Sequence, residues 1–236
     1  MAVDLDDARR RVLGALNAAM RRNADERRAL LGVKGEALAA ATAANRAVSG
    51  APTMPAIERY TGVLYEALEV ASLSRAATRR LAERVLIVSG LWGLVAPQDP
   101  IPDYKLKMGA RLGPLGRLST WWRPRLEAAL WERSAAASRV WDLLPGEHGA
   151  AVGTPTGAGV VRVRFLERRG DGALVAVSHW NKLLKGALVR ELLAGADVHP
   201  DDLRSWEHPL GYRLDPDLEQ REGHVTTVAF VREPVD

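Results

Sequence analysis

Apolar positions in the first 48 residues recur at intervals of three and four. Val12, Leu13, Leu16, Ala19 and Met20 follow Asp4 and Asp6, either of which suits a helix N-terminus, and they predict one amphipathic helix. ADERRALLG predicts a second, closed at Gly32, and GEALAAATAANRAV a third. The stretch from Ser49 to Pro55 is a loop by composition. ERYTGVLYEALEVASL then predicts a helix beginning near Gly62, and SRAATRRLAER another.

The period then shortens. Arg84 to Ser89 is a short β-branched run bounded by glycine, as expected of a buried strand. Residues 90–96 suggest a brief helical turn, and a proline-rich loop follows from 97 to about 104. STWWRPRLEAALWERSAA predicts a helix from about Ser119, with Trp121, Leu126, Leu130 and Trp131 facing inward. RVWDLL reads as a second buried strand. VVRVRFLER and ALVAVSHW read as a strand pair turning at Gly170-Asp171-Gly172, NKLLKGALVRELLAG as a helix closed by Gly195, and YRLDPDLEQREGHVTTVAFVRE as two further strands about a polar turn. Helices followed by a mixed half predict an α+β fold: one domain over 1–236, its helical N-terminal part packed on a mixed sheet built mainly from the second half.

Composition narrows the function classes. At 236 residues, 47% apolar and 26% charged, the chain has the balance of an ordinary globular protein. Its longest apolar run, VLIVSGLWGLVA, is shorter than the roughly 20 residues that cross a bilayer. Cysteine is absent, which excludes disulfides, thiolate metal sites and cysteine nucleophiles and fits a cytoplasmic protein. The net charge is +4, carried by 28 arginines and five lysines, and four of those lysines form two pairs, Lys105 with Lys107 and Lys182 with Lys185. A compact ammonium used so sparingly and in pairs suggests anion contacts, although a solvated surface accounts for the same count.

The most concentrated polarity is in VSGLWGLVAPQDPIPDYKLKMG. Ser89, Gly90 and Gly93 form a tight turn whose backbone N–H groups suit a phosphate; without a flanking Gly-Lys-Ser, a purely structural turn is the commoner explanation of such a pair of glycines. Pro100 and Pro102 stiffen the segment beyond. If it is extended, Lys105 and Lys107 share one face and Tyr104, Leu106 and Met108 the other. Asp99 and Asp103 neutralising the lysines is the alternative. Arg111, Arg117, Arg123 and Arg125 follow, interleaved with Trp121 and Trp122, as phosphate contact with base stacking would require. In SHWNKLLKGALVRELL, Ser178 or Asn181 suits a helix cap, and Lys182 and Lys185 place positive charge at a helix N-terminus, against the macrodipole, which points to a nearby anion or to a fully solvated turn. The histidines at 148, 179, 199, 208 and 224 lack metal-ligand spacing, so neither metal nor cofactor is expected. His179, Asn181 and Tyr104 are the acid-base candidates, with no catalytic constellation around them.

Taken in order, ERYTGVLYEAL, VSGLWGLVAPQDPIPDYKLKMG, the STWWRP helix and VSHWNKLLKGALVREL resemble the YaaA family of bacterial peroxide-stress proteins over residues 57–232. The resemblance implies DNA binding in a positively charged cleft with a helix-hairpin-helix-like element. By position, Ser89, Gly90 and Gly93 would belong to the hairpin, and Tyr104, Lys105, Lys107, Lys182 and Lys185 to the cleft, with Arg123 as a further cation. Residues 1–50 depart from the pattern: relatives open on a strand and a Ser-x-x-Lys loop, where this chain opens on helix. DLLPGEHGAAVG also replaces a segment that in relatives carries a serine and an aromatic. The expected partner is DNA, and the alternative is an enzyme that takes a nucleotide or other small anion in the same cleft.

Overall fold

The computed structural model describes residues 4–177 and 180–234. In chain order its elements are α1 (Asp6–Ala19), α2 (Ala24–Leu31), α3 (Gly35–Ala47), β1 (Thr53–Pro55), α4 (Ala56–Arg59), α5 (Val63–Leu68), α6 (Arg75–Arg84), β2 (Ile87–Ser89), β3 (Gly93–Val95), β4 (Pro100–Pro102), α7 (Leu118–Ser134), β5 (Arg139–Asp142), α8 (Gly146–Val152), β6 (Gly159–Arg168), β7 (Leu174–Ala176), α9 (Asn181–Ala194), β8 (Arg213–Glu222) and β9 (Val225–Arg232). The α+β class holds, with one mixed sheet drawn from the second half. The elements cluster into two compact units that alternate along the chain.

The first unit comprises Met1–Arg59, Leu86–Ala136 and Leu144–Gly157. Val12 and Leu16 of α1 and Met20 at its C-cap meet Leu31, Leu91, Met108, Leu112, Leu118, Trp122 and Leu126 in its core, all fully buried. Gly32 ends α2 as expected, in the left-handed region at φ 67°, and Asn23 caps that helix by accepting from Glu26 N–H; at α1 neither Asp4 nor Asp6 is the cap, since Leu5 holds that position and the Asp4 carboxylate, one residue earlier, accepts the Asp6 N–H at 2.8 Å. Two stretches expected as loop contain strands instead. β1 and β4 pair antiparallel, Met54 against Ile101, with a proline at each flanking pair; a ladder this short tolerates prolines because few N–H groups are needed. Residues 90–96 are not helical. β2 and β3 form an antiparallel hairpin around Gly90-Leu91-Trp92, so strands flank Ser89 and Gly93 where a helix-hairpin-helix would have helices.

Helix α7 begins as predicted, but its phase differs by one residue. The buried stripe is Leu118, Trp122, Leu126 and Ala129, at helical spacing, and it takes Trp122 into the core, its indole N–H donating to Gly90 O at 2.9 Å. Trp121 is only partly buried, and Trp131 is 52% exposed, not inward-facing. GEHGAAV, for which no element was expected, forms α8 and packs on α7.

The second unit comprises Tyr60–Val85, Ala137–Leu143 and Ala158–Asp236. Its strands run in the order β5-β6-β9-β8. β5, β6 and β9 are parallel, β8 is antiparallel to β9, and β7 pairs antiparallel with the far end of β6. Val161, Phe165, Val228 and Phe230 project from one face onto Leu184 and Leu188 of α9. α5 packs on the other side of that helix at Gly186, where an added Cβ would stand within van der Waals radii of Leu64 O. His208 is buried in the same core. Its Nδ1 accepts from Leu210 N–H, so Nε2 carries the proton, directed at Leu184 O 3.3 Å away.

Candidate nucleic-acid interface

Along the segment from Asp103 to Met108, which enters a turn at its end, the side chains alternate as a period of two requires: Leu106 and Met108 are buried, Tyr104 half-buried, Lys105 and Lys107 exposed. Two contacts hold this arm from beneath. Asn45 of α3 is fully buried and grips the Lys105 backbone at both ends, Oδ1 accepting its N–H at 2.8 Å and Nδ2 donating to its carbonyl at 2.9 Å. Gly90 then lets the arm cross the hairpin turn, since a Cβ there would lie 2.7 Å from Leu106 O.

The hairpin turn itself is differently occupied than its glycines suggest. Ser89 Oγ accepts from both Leu91 N–H (3.2 Å) and Trp92 N–H (3.0 Å), so these amides are satisfied within the turn and do not face outward as an anion nest. Ser89 Oγ also lies 2.7 Å from Tyr104 Oη. With both serine lone pairs engaged, the serine hydroxyl is the donor, and the Tyr104 proton is directed away from Ser89. Ser89, Gly90 and Gly93 are all buried. Their work is to seat the arm: Ser89 holds Tyr104, Gly90 admits Leu106, and Gly93, at φ 75°, abuts Trp122. Arg9 of α1 reinforces the hairpin by donating to Trp92 O (3.0 Å) and Leu94 O (2.9 Å).

The two lysines of the arm stand in open positions. Among the described residues neither has an ion-pair partner, and Asp99, which in the alternative reading neutralises them together with Asp103, accepts the Ala96 N–H at 2.8 Å. Lys107 reaches over Gly32 at the C-terminal end of α2, where the helix dipole favours a cation, and Gly32 leaves it room, since a Cβ there would lie 2.6 Å from Nζ. Arg123 on α7 is exposed, with Glu127 one turn on at 3.9 Å.

The second lysine pair is differently used. Lys182 on the first turn of α9 is exposed. Lys185 is half-buried and donates from Nζ to Leu143 O at 3.0 Å; burial lowers its pKa from the ordinary lysine value, and the nearby Asp142 opposes part of that shift. Its charge ties α9 to the end of β5. Asn181 does not cap the helix but donates to Val177 O at 3.2 Å, and Trp180 is the N-cap residue. Ser178 and His179 lie outside the described residues. Ser89, Gly90, Gly93, Tyr104, Lys105, Lys107 and Arg123 thus belong to the first unit, and Asn181, Lys182 and Lys185 to the second.

Among the described residues no cluster of histidine and carboxylate side chains forms a metal site, and no helix is long and apolar enough to cross a membrane. Two cavities, of about 440 and about 200 Å3, are lined by acidic and basic residues alike and include neither arm lysine.

The chain is similar along most of its length to known proteins. The family described as peroxide stress protein YaaA matches residues 3–218. A UPF0246 protein of Streptomyces coelicolor is 38% identical over 221 residues, 93% of this chain and 84% of its own. One of Corynebacterium glutamicum is 35% identical over 233 residues, 96% and 88% of the two chains, and one of Laribacter hongkongensis 31% over 191 residues, 75% and 69%. The chain belongs to the YaaA (UPF0246) family of peroxide-stress proteins.

Proposed function

We propose that this peroxide-stress family member binds DNA through the phosphate backbone, with the 103–108 arm as the contact. The observation that carries the reading is the arm itself: two ammonium groups two residues apart, unpaired among the described residues, on a backbone that Asn45 and Gly90 hold in one conformation. A backbone already held in place spares a polyanion the cost of ordering the loop, leaving only the lysine side chains to be fixed on binding. A lysine-phosphate contact is also indifferent to base identity, so binding is tolerant of sequence. In the second unit Lys182 is exposed, whereas Lys185 is already engaged with Leu143 O and serves the fold.

Titration of labelled duplexes at several salt concentrations tests the reading. Each phosphate neutralised contributes a slope of about 0.9 in log affinity against log salt, so Lys105→Ala with Lys107→Ala lowers the slope by about 1.8 and weakens binding equally on unrelated sequences. Unchanged slope and affinity in the double variant would refute it.

A further inference from the structure

A second group of cations in the first unit converges on Trp121. Arg117 immediately precedes α7, and Trp121 and Arg125 lie one and two turns beyond it, on one face of the helix. Arg111 stands directly opposite Arg117 in an isolated antiparallel bridge, so both side chains leave the same side of that small turn. α1 packs on the turn between them, Gly113–Leu115, and brings Arg11 over the Trp121 ring at 5.6 Å; the Arg125 guanidinium lies over the same ring at 4.1 Å and donates to Trp121 O at 2.7 Å. Arg11, Arg111 and Arg117 are exposed and Arg125 is half-buried.

Among the described residues none of these four arginines has a carboxylate partner, although the same helices supply one to their neighbours: Asp6 to Arg9, Asp7 to Arg10 and Glu127 to Arg123. Like charges facing each other across a bridge are unfavourable in the free protein, and a bound anion relieves that repulsion. A single phosphate, at two negative charges or fewer, leaves at least half of the cluster uncompensated; a chain of phosphodiesters compensates all of it. The ring of Trp121 is already covered by guanidinium, so it offers no platform for a base.

We infer that Arg11, Arg111 and Arg117, with Arg125 adding its charge from the Trp121 ring, form a second nucleic-acid contact, one in which the three exposed guanidiniums grip the duplex backbone through bidentate phosphate pairs and read no bases. This inference rests on the reading that the chain binds DNA, and it assigns to the complex a surface separate in sequence from the lysine arm.

The test compares R11Q/R111Q/R117Q with the K105A/K107A protein in the same salt titration. Arg125 is left in place because it bonds the helix backbone, and R111Q/R117Q alone, which removes no contact seen in the structure, serves if the triple variant does not fold. Three lost phosphate contacts lower the salt slope by about 2.7, and two by about 1.8, alike on unrelated duplex sequences. An arginine variant that keeps the parental slope and affinity overturns the inference while leaving the lysine arm standing. Loss in the arginine variant with none in the lysine variant does the reverse. The free protein gives a separate readout: R111Q/R117Q has a higher melting temperature than the parent at low salt, and the difference closes at high salt. If that rise is seen but the parent binds inorganic polyphosphate and no duplex, the assignment to nucleic acid is wrong.

Discussion

Replacing Asn45 by alanine tests whether the arm is held or merely resting. The side chain is fully buried and makes two well-aligned bonds to a single residue, at 2.8 Å to the Lys105 N–H and 2.9 Å to its carbonyl, with Nδ2 also 3.6 Å from Met20 Sδ. Truncation leaves one donor and one acceptor of the Lys105 backbone without a protein partner. Each unsatisfied buried group costs about 1–3 kcal/mol. Lys105 is an exposed residue, so water reaches part of the vacated site and the lower half of the range applies to each group, for a total of about 2–4 kcal/mol. In a chain of this length that corresponds to a fall in melting temperature of about 4–16 °C.

Calorimetry measures that fall, and amide hydrogen exchange localises it. In the parent protein the Lys105 N–H is protected by Asn45; in Asn45→Ala it exchanges at the rate of an open loop while amides within α1 keep their protection. Asn45→Asp separates geometry from shape: the N–H bond survives, but the carboxylate faces the Lys105 carbonyl without a proton to donate, so the variant is as unstable as the alanine one above the carboxylate pKa. A loss below about 1 kcal/mol in Asn45→Ala, with Lys105 still protected, would refute the claim that Asn45 fixes the arm.

Three further outcomes follow from the packing. Gly90→Ala drives a methyl group against Leu106 O and the Lys107 carbonyl carbon, both backbone, so the arm shifts and the protein loses about 1–3 kcal/mol, measured by urea denaturation; duplex affinity falls with it. Trp122→Ala costs about 3–5 kcal/mol and Trp131→Ala less than about 0.5, a contrast that disappears if α7 has the other phase. Burial holds the pKa of His208 below the ordinary 6.5, so the unfolded chain takes up the proton first; stability is complete above about pH 6.5 and declines as the pH falls toward the folded-state value, and His208→Gln flattens that acid limb in denaturation curves taken between about pH 7.5 and 5.

How far the chain could be read in advance depended on whether a residue's role follows from its spacing. The Lys105/Lys107 face is a matter of alternation, and an extended segment admits only one division of its side chains, so the sequence pattern and the structure agree there. The phase of α7 is ambiguous by one residue because adjacent tryptophans fit either stripe. What decides it is the whole set of Leu118, Trp122, Leu126 and Ala129, against which Arg117, Trp121 and Arg125 fall on a cationic face. β1 and β4 were hidden by their prolines. Asn45 left a signal: it interrupts the stripe formed by Ala41 and Val48 with a polar side chain, and a lone polar residue on a buried face needs a partner. The identity of that partner, 60 residues along the chain, is a property of the fold alone.

The same distinction separates the two lysine pairs and the glycine turn. A glycine-rich turn advertises free N–H groups only if no nearby side chain reaches them, and Ser89, one residue before the turn, reaches two. Its hydroxyl then has only its proton left to give, which is directed to Tyr104, so a residue expected to hold an anion instead orients Tyr104 within the arm. Lys185 differs from Lys105 in the same way. Both belong to closely spaced lysine pairs, but Lys185 is half-buried, its pKa lowered by burial, and commits its ammonium to Leu143 O, while Lys105 stands exposed. Desolvation is therefore the quantity that separates Lys185, committed to the fold, from Lys105, Lys107 and Lys182, each of which stays exposed within its own unit.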